Sequence, residues 1–234
     1  MQNVYLLHGL LGTCYSHFAD QIKAWRDDYR LVPIDLPGHG RSRKDAARPY
    51  YREAVELLRQ HLAQIGPGHV IGISYLGGSV ALRCALLYPE LLRSLVLTGY
   101  VSEVPQQVID SWAGAFFTLA RQRPALAQEY EAMHGSRWQH TLEIVTTEIR
   151  EEYATAIAVP PSLLATLKVP TLVVNGSIKS DERAAAVEFP LHNPLVEAGL
   201  IPGAGHIASH DQPEIFNLMI EQFWKRIEDQ NYAS

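Results

Sequence analysis

The stretch Val70-Ile71-Gly72-Ile73-Ser74-Tyr75-Leu76-Gly77-Gly78-Ser79-Val80-Ala81-Leu82 constrains the fold more than any other part of the chain. It is an apolar strand that runs through a glycine-flanked serine straight into a helical pattern. A serine at so sharp a strand-to-helix turn is lifted clear of a sheet, and the amide of the next residue, at the helix N-terminus, can stabilise an oxyanion. Ser74 is therefore the candidate nucleophile. The same turn would also suit a serine that only caps the helix.

The stretch departs from the pattern G-x-S-x-G in one place. Small residues are needed two before and two after the serine because strand and helix backbones nearly touch there. Gly72 meets the first need, but Leu76 holds the second position, and Gly77 and Gly78 arrive one residue late. Moving the nucleophile to Tyr75 is worse, since Ile73 then falls where a small residue belongs. The reading is a Ser74 elbow widened by one residue, with perturbed oxyanion geometry expected.

The flanking chain repeats the alternation. Val4 to Leu7 reads as a strand ended by His8-Gly9, and Ser16 to Asp27 as a helix with Phe18, Ile22 and Trp25 on one face. Arg30 to Ile34 is a second strand emptying into Asp35-Leu36-Pro37-Gly38-His39-Gly40-Arg41-Ser42. Tyr50 to Ile65 has helical spacing and stops at Gly66-Pro67-Gly68. The elbow helix continues to Leu87, and Ser94 to Thr98, Thr171 to Asn175 and Val196 to Ile201 supply further strands before a last helix, Glu214 to Ile227. This rhythm predicts βαβ units and a mostly parallel sheet covered by helices on both faces. It breaks between Pro105 and Tyr153, where the pattern is helical with turns near Pro124 and Gly135. An all-helical insertion between sheet strands reads as a lid, so residues 1–100 and 160–234 form the α/β core and 101–159 the lid. Its first helix carries Trp112, Phe116, Phe117 and Leu119, which could roof an apolar pocket or only attach the insertion.

Composition narrows the partners. A chain of 234 residues with 47% hydrophobic and 19% charged residues fits one globular domain. A net charge of -5 without a dense Lys/Arg cluster lacks the footprint of a nucleic-acid or anionic-membrane binder, so a small-molecule substrate is expected. Cys14 and Cys84 have no metal-ligand spacing and read as reduced core residues. The first residues carry no basic region, long apolar run or cleavage site, so a cytoplasmic location is expected. No apolar run has the length of a bilayer span. Oligomeric state is not encoded in any of these features.

Gly203-Ala204-Gly205-His206 adds the second chemical element. His206 follows a strand and a glycine-rich turn, so its ring can project over the sheet toward Ser74 and act as general base. His206 and His210 are spaced like a helical metal pair, but the Gly-Ala-Gly lead-in indicates a loop and no third ligand clusters with them; no metal is expected.

Together these segments resemble the α/β-hydrolase superfamily. Leu6-Leu7-His8-Gly9-Leu10-Leu11-Gly12 is similar to its oxyanion loop, Asp35 to Ser42 to its loop after the following strand, and Gly203 to His206 to its catalytic-histidine loop. The resemblance spans nearly the whole chain, which looks like a shortened member starting at the strand before the oxyanion loop. It implies the order Ser, acid, His, and oxyanion donors from the backbone amides of Leu10 and Tyr75. His8 is then expected to brace its loop, and His39 with Asp35 to fix a turn. The family usually places an aspartate three residues beyond the glycine that ends the strand 171–175, and Lys179 stands there instead. Asp181 is the favoured replacement; Glu182 beside it and Glu103 after the preceding strand are alternatives. The resemblance implies a cofactor-free serine hydrolase cleaving a small, largely apolar carboxylic ester through an acyl-enzyme, with Trp112 and Phe116 in the pocket. Two alternatives are a catalytically silent ligand-binding relative, motivated by Leu76 and Lys179, and a thioesterase, acyltransferase or carbon-carbon hydrolase on the same scaffold.

Overall fold

The apolar runs of the sequence assemble into one sheet because none can satisfy its own backbone groups alone, and the central ones are apolar on both sides. The computed structural model describes residues 1–232. The strands are β1 (Gln2–Leu7), β2 (Tyr29–Ile34), β3 (Gly68–Ile73), β4 (Leu92–Thr98), β5 (Thr171–Gly176) and β6 (Val196–Ile201). They form a six-stranded sheet in the order β2-β1-β3-β4-β5-β6, and every neighbouring pair is parallel. Pro33, which has no N–H for a ladder, lies in β2 at the sheet edge.

Successive strand residues face opposite layers. Val4, Leu6, Ile71, Ile73, Leu172 and Val174 lie in the layer that holds α1 (Cys14–Trp25) together with Phe216, Ile220 and Trp224. Tyr5, Leu7, Val70, Leu95, Leu97 and Val173 lie in the layer that holds α2 (Tyr50–Ile65), α3 (Ser79–Leu87) and, beside the fifth strand, Ala185, Ala186 and Phe189. Burial on both faces is why the central strands read as near-continuous apolar runs, whereas the edge strands β2 and β6 carry exposed Arg30 and Glu197. Helix α1 starts earlier than its apolar spacing suggests. Thr13 and Ser16 form a capping box in which each hydroxyl accepts the other's backbone N–H, at 3.0 and 2.8 Å.

Between β4 and β5 the chain leaves the sheet for α4 (Gln106–Gln122), α5 (Pro124–His134) and α6 (Trp138–Glu152), then returns through the short α7 (Pro161–Leu164). After β5 come α8 (Ser180–His192), the turn α9 (Ala208–Asp211) beyond β6, and α10 (Pro213–Tyr232). Several contacts fix the inserted helices to the body, two of them buried and central to the packing. Leu11 packs with Ala120, Trp138 and Leu142, and the buried Glu148 of α6 accepts the Tyr50 and Tyr51 N–H groups that open α2, at 2.5 and 2.8 Å. No helix among the described residues is long and apolar enough to cross a membrane.

The strand order creates the site. The chain moves from β1 outward to β2, then crosses back to place β3 on the other side of β1. A parallel sheet opens a crevice where the winding reverses, beyond the C-terminal ends of its strands. The loops after β1 and β3 flank that crevice, and those after β4, β5 and β6 line up along the same edge.

Candidate active site

Strand β3 ends at Ile73, and Ser74 takes a φ of 61°, a left-handed conformation rare for a residue with a Cβ. Holding it there costs about 1–3 kcal/mol, which the buried turn around it must supply. Residues Ser74–Gly78 then form one π-helical turn before α3 begins. A π turn carries one residue more than an α turn. This accounts for the displaced glycine, because the residue that meets the neighbouring backbone is Gly77. A Cβ there would lie 2.5 Å from the Leu7 carbonyl oxygen and 2.6 Å from that of His8, and one on Gly72 would collide with the Gly77 carbonyl. Leu76 turns into the core and is 1% exposed. The extra residue is thus absorbed after Ser74, within the helix.

His206 reaches Ser74 from the loop after β6. Its Nε2 lies 3.1 Å from Ser74 Oγ, and its Nδ1 lies 2.6 Å from Oε1 of Glu182. Gly99 makes room for the ring: at a φ of 56°, a Cβ on it would sit 2.5 Å from the His206 carbonyl oxygen and 3.0 Å from Nδ1. The histidine loop is pinned by Asp211, whose carboxylate accepts the Gly205 N–H at 2.7 Å.

The carboxylate that meets His206 is Glu182, and this corrects the assignment of Asp181. Adjacent residues in a helical turn project about 100° apart, so only one of the pair can face the imidazole. Glu182 is buried and Asp181 is exposed, at the pocket wall. Glu182 shares the buried face of α8 with Ala185, Ala186 and Phe189, and the first turn of that helix is anchored by Asn175, a residue without a local sequence signal. Its side-chain amide donates to the Glu182 carbonyl at 2.8 Å and to the Tyr100 carbonyl at 3.0 Å, and its oxygen accepts the Tyr100 N–H at 3.2 Å. Glu103 is exposed and stands away from this relay. Lys179 places Nζ 3.4 Å from Glu182 Oε1, so the lysine in the expected acid slot pairs with the acid that moved.

A cavity of about 350 Å³ opens over Ser74. Leu10 and Tyr75 line it on either side of the serine, and Val104, Ile109, Trp112 and Phe116 form an apolar wall. Trp112 packs between Tyr75 and Phe116, with ring centroids 5.7 and 5.3 Å away. Phe117 packs with the Leu11 cluster, and Leu119 is exposed. The loop bearing Leu10 is held by histidines. His8 Nδ1–H donates to the Gly9 carbonyl (2.8 Å) while Nε2 accepts the Leu36 N–H (2.9 Å), and His17 Nδ1 accepts the Gly9 N–H (3.1 Å). Burial lowers His8 to about 4 and His17 to about 3, so both are neutral at pH 7. His39 donates Nδ1–H to the Pro37 carbonyl, and Asp35 accepts the Cys14 and Arg41 N–H groups; both brace turns. His210 is exposed and pairs with Asp211 at 3.8 Å, and among the described residues no group of three or more His, Cys, Asp or Glu side chains is placed to hold a metal.

A family model described as "Alpha/beta hydrolase family" matches residues 4–217. The chain belongs to the alpha/beta hydrolase family. This hydrolase-family chain is similar to NosK from Streptomyces actuosus, whose crystal structure superposes with a TM-score of 0.94 at 48% identity, covering 97% of this chain and 99% of that one. It is 28% identical to the pimeloyl-[acyl-carrier protein] methyl ester esterase of Nitrosomonas europaea, over 80% of this chain and 82% of the relative. The 2-hydroxy-6-oxo-6-phenylhexa-2,4-dienoate hydrolase of Rhodococcus sp. strain RHA1 shares the fold, with a TM-score of 0.80 at 18% identity over 96% of this chain and 90% of that one.

Proposed function

We propose that this family member is a serine hydrolase that cleaves a small, largely apolar carboxylic ester through an acyl-enzyme. Ser74 is the nucleophile, His206 the general base and Glu182 the acid, and the amides of Leu10 and Tyr75 stabilise the oxyanion. The observation that carries the reading is the unbroken relay from Ser74 Oγ through the two nitrogens of His206 to Glu182, at 3.1 and 2.6 Å, opening into an apolar cavity. Because Glu182 faces Nδ1, that nitrogen keeps its proton and Nε2 is left free to accept one from Ser74.

In the first half-reaction Ser74 Oγ attacks the carbonyl carbon as His206 takes its proton, and the tetrahedral oxyanion is stabilised by the two backbone donors. The proton then passes to the departing alcohol, leaving the acyl group on Ser74. Water, deprotonated by His206, attacks the acyl carbon, and the free acid leaves as Ser74 regains its proton. Residues 101–159 act as the lid, with Trp112 and Phe116 against the acyl chain. The two features that favoured a silent protein both find a place in the working arrangement: Gly77 takes over at the widened elbow, and Glu182 supplies the carboxylate missing at Lys179.

Labelling with a fluorophosphonate, followed by peptide mass analysis, tests the reading. Modification at Ser74, lost in Ser74→Ala together with ester turnover, is the expected result. An intact, unmodified folded protein would overturn it. Parallel assays on ester, thioester and carbon-carbon substrates, with an added alcohol acceptor, set the reaction class.

A further inference from the structure

We propose that His134, which comes from the end of α5 in the helical insertion, is a positioning residue for the oxyanion donor at Leu10. The proposal rests on the serine hydrolase reading above. Leu11, the residue after the donor, has a φ of 55°. A left-handed backbone costs a residue of this type about 1–2 kcal/mol, so the loop needs outside support to hold it. The Leu11 carbonyl is held by His134, whose Nε2–H donates to it at 3.0 Å.

The ring's own setting fixes its tautomer. His134 Nδ1 accepts the Gly40 N–H at 2.9 Å, so the proton must be on Nε2, facing Leu11. The ring is 3% exposed and sits edge-on to His39, with centroids 5.4 Å apart. Arg137 fastens the same corner, donating to the His134 carbonyl at 3.2 Å and the Gly40 carbonyl at 2.9 Å.

The link to the donor runs through two planar peptide units. The Leu11–Gly12 unit is held at its carbonyl by His134 and at its N–H by the Gly9 carbonyl, 3.1 Å away. That Gly9 carbonyl belongs to the Gly9–Leu10 unit, whose opposite end is the Leu10 N–H. A trans peptide is rigid, so fixing the direction of its carbonyl fixes the direction of its N–H. His134 therefore helps orient the Leu10 donor from two peptides away, alongside His8, whose Nδ1–H donates to the same Gly9 carbonyl at 2.8 Å. The side chain of Leu11, packed among Ala120, Trp138 and Leu142 of the insertion, holds the same turn from its other face.

The test compares His134→Ala with His134→Gln, whose side-chain amide can still donate to the Leu11 carbonyl. Loss of a whole oxyanion donor costs about 10²- to 10³-fold, so misaiming one is expected to lower kcat at least about tenfold. KM is expected to stay within about twofold, because the donor acts on the transition state. The rate of fluorophosphonate labelling at Ser74 should fall with kcat, and His134→Gln should recover most of both. His134→Met, of similar bulk but without a donor, replaces His134→Ala if that variant does not fold. A folded donor-free variant with unchanged kcat, or one whose KM rises at constant kcat, overturns the proposal. So does a Gln variant no faster than the donor-free one. Wild-type protein that is never labelled at Ser74 instead overturns the functional reading, which keeps the two failures apart.

Discussion

Glu182 meets His206 across the C-terminal ends of β5 and β6 at 2.6 Å, while its chain neighbour Asp181 stands exposed at the pocket wall. The relay therefore depends on helical phase. Glu182→Gln is expected to lower kcat by about 10²- to 10⁴-fold, because the amide permits the wrong imidazole tautomer and leaves the imidazolium without a counter-charge. Asp181→Asn is expected to stay within about threefold of wild type, since it leaves the imidazole's partner in place. Steady-state kinetics on one activated ester decides between them; the reverse ranking would restore Asp181 as the acid.

The π turn makes the irregular spacing of the elbow a requirement. Leu76→Ala should cost about 2–5 kcal/mol, the usual loss for a buried leucine. Gly77→Ala should cost at least about 1–3 kcal/mol, since a methyl would press on two carbonyl oxygens that belong to β1 and its loop. Urea titration measures both. A Leu76→Gly protein as stable as wild type would mean the extra residue is not built into the turn.

Acid should unfold the protein through its buried histidines. Burial holds His8 near about 4 and His17 near about 3, against an ordinary value of 6.5, and also lowers His39 and His134. Between those values the unfolded chain binds more protons than the folded one, so stability rises with pH there. It should be level above about pH 7 and fall as pH drops below about 6.5 toward the folded-state values, with a slope of up to about 1.4 kcal/mol per pH unit for each histidine. Denaturation midpoints measured from pH 8 down to pH 4.5 check this, and a flat profile over that range would contradict the neutral assignments.

Glu148 ties the insertion to the first turn of α2. Removing its carboxylate leaves the Tyr50 and Tyr51 N–H groups buried without their acceptor, so Glu148→Ala should cost about 1–3 kcal/mol. Arg48 reaches Glu151 and Glu152 at 2.8 Å each at the surface and stands 3.9 Å from Glu148, and Arg48→Ala, which leaves the two N–H groups their acceptor, should cost less than Glu148→Ala. Chemical denaturation of the two variants side by side provides the comparison.

The strands were readable because a sheet buried on both faces needs continuous apolar runs, and the reading of α2 over Tyr50 to Ile65 agrees with its observed bounds. The serine and histidine turns were readable because glycine punctuates both. What local pattern could not supply is the phase of α8, where Asp181 and Glu182 are equally acidic and equally placed in the first turn. That choice is made in three dimensions, by the packing of Ala185, Ala186 and Phe189 into the core and by the bonds of Asn175 to Tyr100 and Glu182. The π turn was visible only as a defect, since a sequence shows that a glycine is late but not what absorbs the delay. His134 left no mark at all, because Leu11 and Gly40 lie about a hundred residues upstream of it.

Grafting residues 101–159 from one relative onto the body of another looks like a natural way to exchange substrate preference, since Ser74, Glu182 and His206 all lie outside them. In this chain such a graft would remove the imidazole that grips the Leu11 carbonyl and the carboxylate that starts α2. A chimera would therefore have to carry matched residues at His134 and Glu148 along with the new pocket wall, or its turnover would drop for reasons unrelated to how well the substrate fits.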